Sequence, residues 1–91
     1  MERDKVLLQA FASELKARRG KLGLSQEEVA HQSEVNRTYI AKLELARNQP
    51  TLFVLFKISV ALKVGLPELM QATVDRYQVE QASQAKSARK G

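Results

Sequence analysis

Arg37, Thr38 and Lys42 lie close together in "NRTYIAKLELA", a segment with no acid before Glu44. If this segment is a helix, a wheel at ~100° per residue sorts its side chains into two faces. Thr38, Ala41, Lys42 and Leu45 share one side, with Arg37 and Tyr39 at its edges. Asn36, Ile40 and Leu43 fall opposite, and Glu44 lies near the inner boundary. Arginine and lysine donate hydrogen bonds to guanine O6 and N7. Threonine bonds a base edge or touches a thymine methyl, and an acid there would repel phosphate. This is the composition of a helix that reads a DNA major groove. An ordinary solvated face with long cationic side chains has the same composition, so the pattern by itself leaves both readings open.

No other cluster suggests chemistry. His31 is the only histidine, near the middle of a short helical stretch, and a lone histidine is more often a solvated residue than a ligand or base. Glu27 and Glu28 are adjacent, so they point apart and make a poor acid–base pair. There is no Gly-x-Ser-x-Gly elbow and no glycine-rich phosphate loop. The chain has no cysteine, which excludes disulfides, thiolate metal sites and cysteine nucleophiles. The expectation is no enzyme, no metal and no cofactor.

The 91 residues fit one modest domain, and a hydrophobic fraction of 44% allows a small core. A net charge of +5 favours a polyanionic partner, nucleic acid or an anionic membrane surface, although many small domains are mildly basic for solubility alone. No stretch approaches the ~20 apolar residues of a membrane span. Met1 to Lys5 is charged, and no signal-peptide apolar region follows. The expected setting is soluble and cytoplasmic, with the nucleoid, and no membrane.

The elements that must position the cationic face are all helical, because no segment shows sustained period-two alternation. A first helix is expected from Asp4 to Arg19, with Leu7, Phe11 and Leu15 on one stripe, ending at Gly20 or Gly23. Ser25 with Glu28 forms a capping box for a second helix that stops near Gln32-Ser33. Asn36 caps the third, spanning 36–45. Thr51 caps the fourth, Leu52 to Lys63, which Gly65 ends; Pro67 opens the fifth at its first position. The domain is expected over residues 1–77, with 78–91 a polar basic tail, frayed or disordered. Lys86, Arg89 and Lys90 there either add phosphate attraction or form a solvated terminus.

Two short helices joined by a tight turn make a helix-turn-helix unit. Here "LGLSQEEVAHQSEVNRTYIAKLE" followed by "RNQPTLFVLFKISVALKV" resembles the Cro/repressor family, lambda-repressor-like helix-turn-helix proteins of bacteria and phages. Restriction-modification controller proteins and many antitoxins share that domain. The resemblance implies an all-α, five-helix fold whose third helix is the recognition helix, and a homodimer on a pseudo-palindromic operator in double-stranded DNA. It implies base contacts from Asn36, Arg37, Thr38 and Lys42, and phosphate contacts from Gln26, Tyr39, Arg47 and Asn48. It also implies an internal ion bridge between Arg19 and Glu44. A toxin or restriction-modification partner belongs to the same family picture.

Three positions depart from the pattern. Glu34 and Ala46 stand where relatives commonly carry glycine, and Leu45 occupies the outward face where a polar residue is usual. Helix four is apolar on nearly every side, more than a chain this small can bury. A dimer seam formed or supported by Phe53, Val54, Leu66, Leu69 and Met70 would relieve this; a well-filled monomer core is the alternative. The functional expectation is a DNA-binding transcriptional regulator, a repressor or autoregulator. The rival is an antitoxin or bridging-type protein-interaction module with DNA binding secondary. RNA binding is disfavoured because stacking aromatics are lacking outside the core.

Overall fold

The computed structural model describes residues 4–90, and their side chains as far as Ser83. Five helices follow in order: α1 (Lys5–Leu22), α2 (Gln26–Gln32), α3 (Arg37–Glu44), α4 (Leu52–Ala61) and α5 (Leu66–Lys90). No strand occurs among the described residues. The all-α, five-helix expectation holds.

The N-termini form as their cap residues dictate. Asp4, Ser25, Asn36 and Thr51 each sit in extended backbone and accept a hydrogen bond from the amide three residues on. At Ser25 the box is reciprocal: Ser25 Oγ accepts from Glu28 N at 3.0 Å, and Glu28 Oε1 accepts from Ser25 N at 2.9 Å. Each such cap satisfies amides that the first turn leaves without an intrahelical partner, worth about 1 kcal/mol.

The C-termini share one device. α1 to α4 all end in a paired six-to-one and five-to-two hydrogen-bond motif around a left-handed residue. The left-handed residues are Gly23, Glu34, Ala46 and Lys63, at φ of 69°, 59°, 58° and 56°. The six-to-one bonds run from Leu24, Val35, Arg47 and Val64 amides to Arg19, Ala30, Lys42 and Ser59 carbonyls, at 3.1, 3.0, 2.9 and 3.0 Å. After three of these turns an apolar residue, Leu24, Val35 or Val64, folds back onto the core. Only the first turn uses glycine. The other three place a Cβ where left-handed backbone costs an L-residue roughly 1–2 kcal/mol.

This corrects two boundaries. α1 runs through Gly20 and ends at Gly23, because Leu24 N can close on Arg19 only there. α4 ends before Lys63, not at Gly65; Gly65 instead offers its carbonyl to Leu69 N at 3.0 Å and so begins α5. α5 runs on past Tyr77 to Lys90. The sequence after Tyr77 is rich in Gln, Ala and Lys, all good helix formers, and an established helix propagates into them without a new nucleus. The side chains of Lys86, Arg89 and Lys90 lie outside the described residues.

The core joins all five helices. Phe11 and Leu15 of α1 meet Val29 and Ala30 of α2, Ile40 and Leu43 of α3, Val54, Ile58 and Ala61 of α4, and Leu69 of α5. α1 packs on α5 and α3, and α2 packs on α3 and α4. Ala30, 2% exposed, sits between α2 and its neighbours, where its lone methyl allows close approach. Glu14, nearly buried on α1, ties α5 down by accepting from Arg76 Nε at 2.6 Å, with Arg18 Nε on its other oxygen at 2.5 Å. Burial raises the Glu14 carboxyl, but the bonds and charges of the two arginines outweigh it and hold the group below its ordinary range. Nearer the start of α1, Tyr77 donates to Asp4 at 2.8 Å.

Candidate nucleic-acid interface

α3 is eight residues long, about 12 Å at 1.5 Å per residue. Ile40 and Leu43 anchor it, 0% and 1% exposed. With those two residues fixed inward, the helical period turns Arg37, Thr38 and Lys42 outward, and all three are exposed. Ala41 beside them is half-buried, and Leu45 is exposed at the far end of the same face. Asn36 is exposed too, but its side-chain oxygen is committed to the cap, accepting from Tyr39 N at 2.8 Å. Only its amide nitrogen remains for another partner. Tyr39 is half-buried and packs against the core.

The end of α3 is pinned from beneath. Arg19 Nε donates to Glu44 Oε2 at 2.6 Å and Arg19 Nη2 to Glu44 Oε1 at 2.9 Å, a two-pronged bridge of α1 to α3. A third donation, from Arg19 Nη1 to the Leu24 carbonyl at 2.9 Å, fixes the guanidinium against the α1–α2 turn. Burial pushes the Glu44 carboxyl up. The hydrogen bonds from Arg19 and Gln26 and the charges of Arg19 and Lys16 more than offset this and hold it below its ordinary range. The bond to Glu44 likewise raises Arg19 above its already high value, so the pair stays ionised at neutral pH.

Gln26 opens α2 and links this bridge to the outer face. Its Nε2 donates to Glu44 Oε1 at 3.0 Å, which fixes the sense of the amide and leaves one N–H outward. Its Oε1 faces Arg37 Nη1 at 3.4 Å, longer than an ordinary N–H···O bond, so Arg37 is steered but not locked. Arg47 is exposed and Asn48 half-buried in the loop after α3. Gln26, Arg37 and Glu44 are thus brought together in space, as sequence spacing alone could not show.

The expected seam residues divide. Val54 and Leu69 are 8% and 0% exposed and belong to the protomer's own core, which corrects their expected place on a surface. α4 turns Val54 inward with Ile58 and Ala61, and α5 does the same with Leu69. Leu66 and Met70 are half-buried, and Phe53 is exposed. The outer side of α4 carries residues the expectation passed over: Leu52, Phe56 and Val60, exposed by 75%, 52% and 60%. Their spacing of four was visible in the chain. A helix apolar all round, however, does not say which side the core will take. Lys57 borders this stripe, its ammonium 5.5 Å from the Phe53 ring centroid and 2.8 Å from Glu34 Oε2.

Comparison with known proteins agrees with this geometry. The helix-turn-helix family model matches residues 15–69, which takes in the α2–α3 pair and the start of α5. The chain belongs to the helix-turn-helix family. Members of this family are DNA-binding transcriptional regulators, not enzymes. The chain is similar to the uncharacterized HTH-type transcriptional regulator y4dJ of Sinorhizobium fredii, 39% identical over 51 residues, 56% of this chain and 66% of that protein. It therefore spans just under two thirds of that relative's length.

Solved structures give the same fold. The clp gene regulator ClgR of Corynebacterium glutamicum superposes with a TM-score of 0.80 at 25% identity, over 91% of this chain and 87% of that one. The restriction-modification controller C.AhdI of Aeromonas hydrophila gives 0.66 at 32% identity, over 68% and 94%. The controller C.Esp1396I, solved as a tetramer with its natural 35-base-pair operator, gives 0.73 at 26% identity, over 85% and 99%. The resemblance to the Cro/repressor family is thereby shown, and the fold is lambda-repressor-like. Among the described residues no helix is long and apolar enough to cross a membrane.

Proposed function

We propose that this helix-turn-helix protein binds specific double-stranded DNA as a homodimer and represses transcription, its own gene included, in the cytoplasm. The observation that carries this is the outward cationic face of α3, free of acid and held by a buried ion bridge at its base. Arg37, Thr38 and Lys42 meet base edges, joined by the free amide N–H of Asn36. Gln26 gives its remaining N–H to a phosphate, and Arg47, Asn48 and Tyr39 reach the backbone beside it. Phosphate contacts supply most of the affinity and set the register, while base contacts select the sequence.

A two-fold dimer places its two recognition helices about 34 Å apart, one turn of DNA, and so calls for a pseudo-palindromic operator. The seam in this reading is the exposed α4 stripe centred on Phe53 and Phe56, with Leu66 and Met70 contributing from α5. The operator-bound assembly of C.Esp1396I lends support by analogy.

The same stripe also favours a second reading, a protein-interaction module of antitoxin or bridging type, because an apolar face so exposed calls for some partner. Titration against the protein's own promoter DNA and a scrambled control, at several salt concentrations, separates the two. The regulator reading expects specific binding that survives salt better than the control. It further expects Arg37→Ala to weaken the cognate site by roughly 1–3 kcal/mol and relax base choice there. Equal affinity for both DNAs at every salt concentration would refute it.

A further inference from the structure

We infer that Leu45 is a specificity-determining residue that reads the 5-methyl group of a thymine; this rests on the DNA-binding function proposed above. Leu45 is 59% exposed. Most other exposed apolar side chains have company: Leu52, Phe53, Phe56 and Val60 share the α4 stripe, and Leu7 and Val74 line a common cleft, while Leu22 and Val79 lie on α1 and α5. Leu45 instead lies on the face of α3 that carries Thr38 and Lys42, one helical turn beyond Ala41.

Its backbone is still under helical control. The Leu45 amide donates to the Ala41 and Lys42 carbonyls, both at 3.2 Å, with φ −100° and ψ 6°. Its side chain therefore follows Ala41 one turn on, and the two form a short apolar track down the middle of the cationic face. α3 is about as long as the major groove is wide, ~12 Å in each case. A residue at its end is still within reach of base edges.

Leucine cannot hydrogen-bond, so pressed against guanine O6 or cytosine N4 it strips water from a polar edge and returns nothing. The thymine methyl is the one apolar feature in that groove, and the two groups gain by excluding water together. Covering a single methyl group is worth about a fourfold change in affinity for one half-site, and about fifteenfold when both half-sites change.

The test uses the full chain and the operator defined by the promoter titration. Each thymine is replaced singly by deoxyuridine, which removes only the methyl, and affinities are measured for the native protein and for Leu45→Ala. The expected result is one thymine per half-site whose methyl is worth about fourfold to the native protein and nothing to Leu45→Ala. Because Leu45 is exposed and lies outside the buried core cluster, the variant keeps its fold, checked by circular dichroism. Deoxyuridine without effect at every position overturns the inference, as does a loss that persists in Leu45→Ala. Failure of any DNA to bind specifically overturns the regulator function beneath it, a result distinct from either.

Discussion

Replacing Ala46 with glycine is expected to stabilise the protein, and the structure fixes the size of the gain. Ala46 is the left-handed residue of the turn that closes α3, at φ 58°. Its amide bonds the Leu43 carbonyl at 3.1 Å, and the next amide, Arg47, bonds Lys42 at 2.9 Å, so the conformation cannot relax without losing both. Removing the Cβ relieves roughly 1–2 kcal/mol of left-handed strain. Glycine gives back about 0.5–1 kcal/mol through its freer unfolded chain. Only one methyl is lost from a half-buried position, so the net gain is about 0.5–1 kcal/mol. For a domain of this size that raises the melting temperature by about 3–6 °C. Calorimetry measures the shift, and urea titration should move the midpoint without changing the slope.

Glu34→Gly is the control. The backbone relief is the same, φ being 59°, but the 2.8 Å ion pair with Lys57 is lost. An exposed pair of that kind contributes little, but its loss offsets part of the relief, so this substitution should gain less than Ala46→Gly. A fall in stability on Ala46→Gly, or equal gains at both sites, would refute the strain argument.

Ser33→Ala should also stabilise, by about 1 kcal/mol in chemical denaturation, because Ser33 is fully buried in the α2–α3 turn and its hydroxyl has no partner. Acid should weaken the fold: Glu14 and Glu44 are held below their ordinary range, so the folded state resists protonation that the unfolded chain accepts. Their contribution is complete above the ordinary glutamate value of about 4.3 and is lost as pH falls through the lower folded values. Melting temperature followed downward from pH 6 should show this, with Glu44→Gln giving a shallower loss. Phe53→Glu, on the exposed side of α4, should abolish self-association seen by sedimentation while leaving the helical spectrum unchanged; an unaltered dimer would move the seam elsewhere.

What the sequence determined by itself was local. Caps at Ser25, Asn36 and Thr51 depend on side chains bonding amides three residues away, and with the apolar stripe of the first helix and Pro67 at the fifth they let five helices and the outward set Arg37, Thr38 and Lys42 be read directly. The bridge from Arg19 to Glu44 was legible only through family resemblance, since 25 residues separate its ends. Tertiary structure decided the rest. α4 could have buried any of its sides, and only packing against α2 and α5 drew Val54 and Ile58 inward and left Phe53 and Phe56 in water. The left-handed residue that closes α4, Lys63 rather than Gly65, was hidden because composition favours glycine there, whereas the turn is set where Val64 can both bond Ser59 and pack on the core. The pairing of Glu14 had no signal in the chain, because Arg76, which closes on it from α5, lies 62 residues away. Short-range hydrogen bonds are written in neighbouring residues, but the choice among equally apolar faces is made only when the helices meet.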